Sequence, residues 1–356
     1  MTKNIFLIIP DLRCGGAEKV FINLANEWIK KHKVTFILMN KKGEMLKDLN
    51  SKINIINLEV DRIRFVIPKL IKIFSSHSDS YFISAMWPLN SVFLFSSLLG
   101  SRSNNYYITE HVNLSKSMNI DFKVPKIILK LSISLTYIFA KKIICVSKGV
   151  KKDLSDLSFF NINSKLITIY NPIIHNSPKI LDINNKKINI LSVGTLKKQK
   201  NHKLLLKSIS LIDDIEKYSV DILGDGPLFE ELKQYCYYLN IEKIVNFHGY
   251  TRDVDSFYRK ADIFILSSIY EGFGNVLVEA LNHGLKIIST DCYNGPKEIL
   301  DGNNYGLLVP INDHTAMKNA IYQIQKINFD KDRLQERAKK FEVKYISNKY
   351  LSEMGI

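Results

Sequence analysis

Two carboxylates, Glu271 and Glu279, flank the segment Gly272-Phe273-Gly274-Asn275-Val276, and the combination points to a ligand carrying two kinds of group. The run 262–266 ahead of them reads as a buried strand, and the apolar segment that begins at Asn275 stops at Asn282-His283-Gly284, as a helix does on meeting its C-cap. A strand, a tight turn and a helix start offer backbone N–H groups and the positive end of the helix dipole to an anion, and glycine lets that anion approach the backbone closely. Acids beside a phosphate repel it, so the two glutamates make more sense as acceptors for hydroxyl groups on the same molecule. A nucleotide-sugar has both kinds of group.

Other strand ends carry residues suited to such a ligand. Gly15-Gly16-Ala17-Glu18 follows the first apolar run and opens the first helical segment. A glycine pair there can present N–H groups to a phosphate, and it can equally serve only the packing of the turn. Glu110-His111 stands directly after the strand read at 106–109. A lone histidine is often purely structural, and position at a strand end is what selects His111 over His32 and His77, which sit in polar connections. In 193–202 a strand ends and a helix begins, with Thr195, Lys197, Lys198 and Lys200 between them. Lysines at that point can neutralise a diphosphate as point charges, Lys200 being the best placed; the alternative is a solvated basic loop. Gly224-Asp225-Gly226-Pro227 and Phe247-His248-Gly249-Tyr250 follow two further strands, as plain turns or as the wall that holds a base. Asp253-Val254-Asp255 matches the Asp-x-Asp triplet of metal-dependent nucleotide-sugar enzymes, yet its setting before Ser256-Phe257-Tyr258 is that of a helix start with Asp253 as N-cap. No His/Cys/Asp cluster has ligand spacing, so no metal and no cofactor are expected.

The elements that must position these residues alternate along the whole chain. Strands are expected at 5–9, 34–39, 53–58, 81–86, 106–109, 143–146 and 166–170, and again at 188–193, 219–223, 244–247, 263–266, 286–289 and 307–309. Between them lie amphipathic segments such as 17–31, with Val20, Leu24 and Trp28 on one face, and 91–99. Alternation of this kind implies parallel sheets covered on both faces. The 356 residues exceed what one core usually supports, and the pattern loosens after Asn171-Pro172. The expected organisation is α/β: two doubly wound, Rossmann-like parallel-sheet domains at 1–172 and 188–340, a linker at 173–187, and a terminal helix in 341–356 that packs back on the first domain. Two such domains face each other across a cleft at the carboxyl ends of their strands, where ligands of doubly wound sheets bind.

Composition narrows the setting. Four scattered cysteines, Cys14, Cys145, Cys236 and Cys292, with no Cys-x-x-Cys pair, suggest reduced thiols and a cytoplasmic protein. The opening residues turn charged too soon for a signal peptide, and the charge-free stretch 80–101 is broken by Trp87-Pro88-Leu89-Asn90, which divides it into a strand and a helix. A formal net charge of +15 calls for an anionic partner (nucleic acid, membrane surface or substrate), unless it serves solvation alone. The charge is concentrated: from Lys116 to Lys152 there are nine lysines against one acid, Asp121, interleaved with Ile127, Ile128, Leu131, Leu135 and Ile138. A basic and apolar first domain suits the inner face of an anionic membrane.

With these residues in view, the chain resembles the retaining glycosyltransferases of family 4, which have the two-domain GT-B fold. The resemblance runs from Gly15-Gly16-Ala17-Glu18 through Val146-Ser147, Asn171-Pro172, Val193-Gly194, Lys200-Asn201 and Gly224-Asp225-Gly226-Pro227 to the Glu271 to Glu279 motif, then Gly284, Thr290-Asp291 and the segment 306–309. It implies that Glu271 meets hydroxyls of the donor sugar and Glu279 the nucleotide ribose. Backbone groups of Gly272, Phe273, Gly274, Asn275 and Val276 would hold sugar and diphosphate, with Lys200, Gly15 and Gly16 completing the diphosphate site. Thr195, Gly226 and Tyr250 would line the nucleotide, and His111 would lie near the donor sugar. The family often has arginine where Thr195 stands, so a guanidinium fork to the diphosphate is missing, and Lys197 or Lys198 would give a less directional contact.

The resemblance implies a metal-independent transferase that moves a hexose or N-acetylhexosamine from a UDP-sugar, with retention. The expected acceptor is a saccharide linked to undecaprenyl diphosphate, in the synthesis of bacterial surface glycans such as O-antigen or capsule, with the protein peripheral on the inner face of the cytoplasmic membrane. A sugar-nucleotide epimerase of the same fold is the closest alternative. A basic nucleic-acid-binding protein is a second, but it rests on charge alone and lacks an aromatic-basic module, so no nucleic-acid partner is expected.

Overall fold

The computed structural model describes residues 1–101, 103–118, 124–179 and 187–356. Within them the chain forms two compact units, one of Met1–Ile173 with Val343–Ile356, the other of Ile174–Glu342. In the first unit, β1 (Asn4–Ile9), β2 (Lys33–Leu38), β3 (Asn54–Asn57), β4 (Tyr81–Ala85), β5 (Asn105–Glu110), β6 (Lys142–Cys145) and β7 (Leu166–Thr168) form one sheet in the order β3-β2-β1-β4-β5-β6-β7. In the second, β8 (Ile188–Val193), β9 (Tyr218–Leu223), β10 (Val245–Gly249), β11 (Ile263–Leu266), β12 (Lys286–Thr290) and β13 (Leu307–Val309) run in the order β10-β9-β8-β11-β12-β13. Every pairing is parallel, as strands apolar on both faces require. This is the GT-B architecture of two doubly wound domains.

In each sheet the chain winds outward from one strand and then returns to its other side. The order reverses between β1 and β4 in the first unit and between β8 and β11 in the second. At such a point the two connecting loops leave in opposite directions and open a crevice beyond the carboxyl ends of the strands. The loops that follow β8 and β11 therefore become neighbours although their sequences are distant.

Hydrophobic burial explains why the last helix, Val343–Met354, belongs to the first unit. Ile346, Tyr350 and Met354 join the core that contains Trp28 and Phe36. The Trp28 indole N–H donates to the Ser347 carbonyl at 3.4 Å and the Tyr107 hydroxyl to the Met354 carbonyl at 3.1 Å. Of the stretch read as a linker, 174–179 is tied to the second unit: the Ile174 amide bonds the Phe341 carbonyl, Asn282 Nδ2 the Asn176 carbonyl, and Gln335 Nε2 the Pro178 carbonyl. Residues 180–186 of that stretch lie outside the described residues, as do Asp121 and Lys123 of the basic region.

Element boundaries differ from the sequence expectation at several points, two of which follow from local backbone chemistry. The helix expected at 91–99 is Leu89–Ser97, because Pro88 ends the preceding turn and the helix starts directly after it. Phe247, His248 and Gly249 do not follow β10 but end it, with a register shift between Phe247 and Gly249. Such a bulge lets a polar residue enter a strand end, and pattern alone does not reveal it.

Candidate active site

The order reversal between β8 and β11 brings Lys200 and Glu271 into contact. The Lys200 Nζ stands 2.6 Å from Glu271 Oε1, and both side chains are largely withdrawn from solvent. The Ser268 hydroxyl donates to the same Oε1 at 2.7 Å. One backbone and two side-chain bonds join the two loops around this pair: the Ile269 amide donates to the Gln199 carbonyl at 2.8 Å, Gln199 Nε2 to the Tyr270 carbonyl at 2.9 Å, and Ser267 Oγ to the Lys200 carbonyl at 2.9 Å. A half-buried ion pair with a neutral donor added is held in one geometry and costs several kcal/mol if one partner alone is removed. It leaves two N–H groups of Lys200 and one oxygen of Glu271 beyond the contact they share.

Beyond Glu271 the chain turns at Gly274, whose φ of +100° is left-handed and suits glycine, directly before the helix Asn275–Asn282. Gly272, Phe273 and Gly274 are buried, and the Phe273 ring packs edge-on against Phe341 at 5.5 Å between centroids. The phenylalanine side chain is thus core, and only its backbone is available to a ligand. One helical face carries Glu279. Its Oε2 accepts from the Tyr258 hydroxyl at 2.9 Å, and Tyr258 stacks on His283, with 5.0 Å between ring centroids. His283 in turn contacts the Glu279 carbonyl through Nδ1 at 2.8 Å and Asp255 through Nε2 at 2.7 Å. Burial, then the neighbouring Glu279 charge, pushes the Tyr258 phenol far above its ordinary value, so it remains a donor. Asp253 accepts from the Ser256 amide at 3.2 Å, the N-cap bond expected of it, while Asp255 is committed to Arg259 and His283. Among the described residues no cluster of His, Cys, Asp and Glu is arranged to hold a metal.

The other expected second-unit positions lie on the neighbouring strand ends. Thr195 is exposed in the turn after β8, whose Leu196 amide donates to the Asp225 carbonyl at 2.9 Å, while the Leu228 amide donates to the Leu196 carbonyl at 3.0 Å. Gly226 is therefore fixed beside the Thr195 turn. Tyr250, half exposed, follows β10 directly.

The first unit holds Gly15, Gly16 and His111. Gly16 starts the helix Gly16–Trp28, and the Glu18 carboxyl folds back over that start: a Cβ on Gly15 would lie 2.1 Å from Glu18 Oε2. Gly15 has an extended backbone, so the Glu18 carboxyl, the far end of a flexible side chain, is what fills the space a Cβ would take. Burial pushes Glu18 up to about 7, with Asp11 adding to the rise, so the carboxyl can be neutral beside an anion. His111 is buried, and burial lowers it to about 3, leaving a neutral ring. Thr109 Oγ1 donates to the Ser84 carbonyl at 3.3 Å and lies 2.9 Å from His111 Nε2. With the hydroxyl proton so committed, Nε2–H donates to Thr109 and Nδ1 is the ring acceptor. Nδ1 has no partner among the described residues. Glu110, next to it, is fully buried and accepts from Asn90 Nδ2 at 2.6 Å and from the Tyr137 hydroxyl; burial raises it to about 7.

Sequence reasoning missed Ser268, Gln199, Tyr258 and Glu18's fold-back. For Tyr258 a signal existed: a tyrosine in the helix just before a buried strand, when a carboxylate needs orienting nearby. The others depend on which strands are neighbours, which no local pattern states.

Comparison with known proteins gives these sites a context. The family model described as glycosyl transferases group 1 matches residues 174–341. In Campylobacter jejuni subsp. jejuni serotype O:2, the N-acetylgalactosamine-N,N'-diacetylbacillosaminyl-diphospho-undecaprenol 4-alpha-N-acetylgalactosaminyltransferase is 30% identical over 350 residues, 94% of this chain and 92% of that protein. The same organism's GalNAc-alpha-(1->4)-GalNAc-alpha-(1->3)-diNAcBac-PP-undecaprenol alpha-1,4-N-acetyl-D-galactosaminyltransferase is 29% identical, covering 98% of this chain and 97% of that one. Among solved structures, Anabaena Alr3699/HepE in complex with UDP superposes with a TM-score of 0.81 at 17% identity, over 99% of this chain and 100% of that chain, a likeness of fold.

Proposed function

Because the chain belongs to the group 1 glycosyl transferases, we propose that it transfers a hexose or N-acetylhexosamine from a UDP-sugar to a lipid-diphosphate-linked saccharide, with retention at the anomeric carbon. The observation that carries this reading is the Lys200–Glu271 pair, set at the order reversal of the second sheet beside a glycine turn and a helix start. The Campylobacter relatives support the acceptor class, since their names specify undecaprenol-diphosphate-linked saccharides and alpha linkages. Complexes of a structural neighbour with UDP support the donor class.

The residues divide the work as follows. Lys200 neutralises the departing diphosphate, aided by the helix start at Asn275, and does so without a metal. Glu271, held by Lys200 and Ser268, accepts from donor-sugar hydroxyls, and Glu279, held by Tyr258, accepts from the ribose. Gly15 and Gly16 are assigned to the diphosphate on the resemblance alone. Thr195, Gly226 and Tyr250 border the nucleotide. His111, whose ring burial keeps neutral, is assigned near the donor sugar on the resemblance. Retention follows from attack on the same face, with the leaving phosphate taking the acceptor proton, so no protein nucleophile is assigned. Because the proposed acceptor is lipid-linked, we assign the protein to the inner face of an anionic membrane as a peripheral enzyme of surface-glycan synthesis.

The test is acceptor-dependent turnover. Donor candidates are first ranked by thermal shift, because a bound donor stabilises the folded state with its occupancy. UDP release must then require a lipid-linked or short-chain saccharide acceptor. Conversion of the donor with no acceptor present would make the protein an epimerase instead, and salt-sensitive oligonucleotide binding with no donor binding would overturn the assignment altogether.

A further inference from the structure

We propose that His283, as an imidazolium with a hydrogen on each ring nitrogen, is a positioning residue for donor binding: it fixes Tyr258 and, through Tyr258, the Glu279 carboxylate. The inference rests on the functional reading, which gives Glu279 to the ribose, and adds that donor affinity depends on the proton His283 carries.

The two neighbours of the ring decide its protonation. His283 closes the helix Asn275–Asn282, and its side chain is 9% exposed. Nδ1 stands 2.8 Å from the Glu279 carbonyl oxygen and Nε2 2.7 Å from Asp255 Oδ1. A carbonyl can only accept a hydrogen bond, and so can an ionised carboxylate. Asp255 is ionised: burial opposes this, but its bonds to Arg259 and His283 outweigh burial and hold it below the ordinary carboxylate value. Arg259 Nε lies 2.6 Å from its other oxygen, Oδ2. A neutral imidazole has one N–H and one lone pair, so either tautomer would turn a lone pair toward an acceptor oxygen at hydrogen-bond distance. The doubly protonated ring satisfies both contacts.

The surroundings favour that charge. The Glu279 carbonyl also accepts from the His283 amide at 3.2 Å, so the ring sits at the negative end of the helix dipole. Asp255 is its counter-ion, with Arg259 behind Asp255. From the helix Val254–Lys260, Tyr258 presents its ring face, 5.0 Å away between centroids and 17° from parallel. A cation over the face of a phenol is attracted to it.

Tyr258 passes this state to Glu279. Its hydroxyl donates to Glu279 Oε2 at 2.9 Å and also reaches the Val276 carbonyl at 3.3 Å, so two acceptors compete for one proton. A positive ring stacked on the phenol draws electron density from it and strengthens the bond to the charged acceptor. When His283 loses its second proton, one of its two anchors breaks, the stack loosens and Glu279 loses its fixed orientation. The proton leaves as pH rises, so donor affinity falls toward alkaline pH.

Binding of UDP to the full chain, followed by calorimetry, tests this without an acceptor. Between about pH 6 and about pH 8.5 the wild type should lose about fivefold in affinity beyond any loss in the variants, which control for titration of the UDP terminal phosphate. His283→Phe keeps a stacked ring and removes both hydrogen bonds. It should bind UDP about fivefold more weakly than wild type at about pH 6, with the excess pH dependence gone. Asp255→Asn changes a side chain that is 55% exposed, where folding is not at stake. Its amide can turn to offer either oxygen or N–H, so it serves a neutral ring as well and should abolish the excess pH dependence while affinity stays near that of wild type. In protein labelled with 15N-histidine at about pH 7, the ring signals missing from His283→Phe should show hydrogen on both nitrogens. A neutral ring in those spectra overturns the proposal, as does a wild-type pH dependence that both variants reproduce. A wild type that binds no UDP overturns the functional reading and the inference with it, whereas UDP binding without the excess pH dependence overturns the inference alone.

Discussion

The two units share a doubly wound parallel sheet with one order reversal, yet their exposed chemistry differs. Among the described residues, the large exposed hydrophobics of the second unit are all tyrosines, Tyr237, Tyr238, Tyr250 and Tyr293, whereas those of the first unit, Met1 and Tyr345 apart, are isoleucine, leucine and phenylalanine. At its order reversal the second unit has a charged pair, Lys200 and Glu271. The strand ends of the first unit hold groups whose charged forms burial disfavours, His111 lowered to about 3 and Glu110 raised to about 7. One scaffold therefore carries a charged, hydrogen-bonded pair at the strand ends of one half and exposed aliphatic residues on the outer helices of the other. What differs is carried by strand-end loops and outer helix faces, which the sheet positions but does not specify.

The sharpest way to break this contrast is at the charged pair. Lys200→Ala should lower transfer by roughly a hundredfold or more, chiefly in kcat, since it removes charge aimed at the leaving group. Glu271→Gln should also lose most activity; if it kept nearly full turnover, Glu271 would not hold the donor sugar. Next in size is Tyr258→Phe. Losing the hydrogen bond that fixes Glu279 should raise KM for the nucleotide-sugar by about tenfold while kcat changes little, a split that steady-state kinetics resolves and a general folding defect would not produce.

The pH response should separate the units. Glu18 and Glu110 are raised in the folded protein, so their contribution is full below about 4.5 and is lost as pH rises through about 7. His202 in the second unit is lowered to about 4 by burial, and its contribution is present above about 6.5 and lost as pH falls toward 4. His111 has the same sign as His202 but acts in the first unit, opposing the two glutamates. Between pH 7 and 5 the second unit should therefore weaken by about 4 kcal/mol relative to the first, about half from His202 and the rest from the two glutamates net of His111, as judged by hydrogen exchange in β11 against β5. Glu110→Gln should remove part of the first unit's compensation, which narrows the difference. The smallest effect is expected at Asp253→Ala: about 1 kcal/mol of stability from the lost cap, and turnover equally insensitive to chelator in variant and wild type. Chelator-sensitive wild-type turnover would revive a metal at Asp253 and Asp255.

The strands were legible because parallel sheets buried on both faces need unbroken apolar runs such as Ile263–Leu266. The turn between Glu271 and Glu279 was legible because glycines and a helix start are local signals. Lys200 meeting Glu271 was not, because the two lie on different strand ends and only the order β9-β8-β11 makes them neighbours. Nor was the attachment of 174–179, whose anchors Asn282, Gln335 and Phe341 come from distant helices and their ends. The aliphatic residues of 126–136 were visible as near-helical spacing, but spacing alone could not tell which of them face the core.

The return of the last helix to the first unit sets the order in which the protein can be completed during synthesis. The second unit is one unbroken segment whose ends, Ile174 and Glu342, pair with each other. It can close on itself as soon as it leaves the ribosome. The first unit, though made earlier, must wait: Trp28 and Tyr107 lack their carbonyl partners until Ser347 and Met354 have been added. A chain released just after Glu342 would thus carry a finished second unit and an exposed, unfinished groove on the first, a substrate for chaperones.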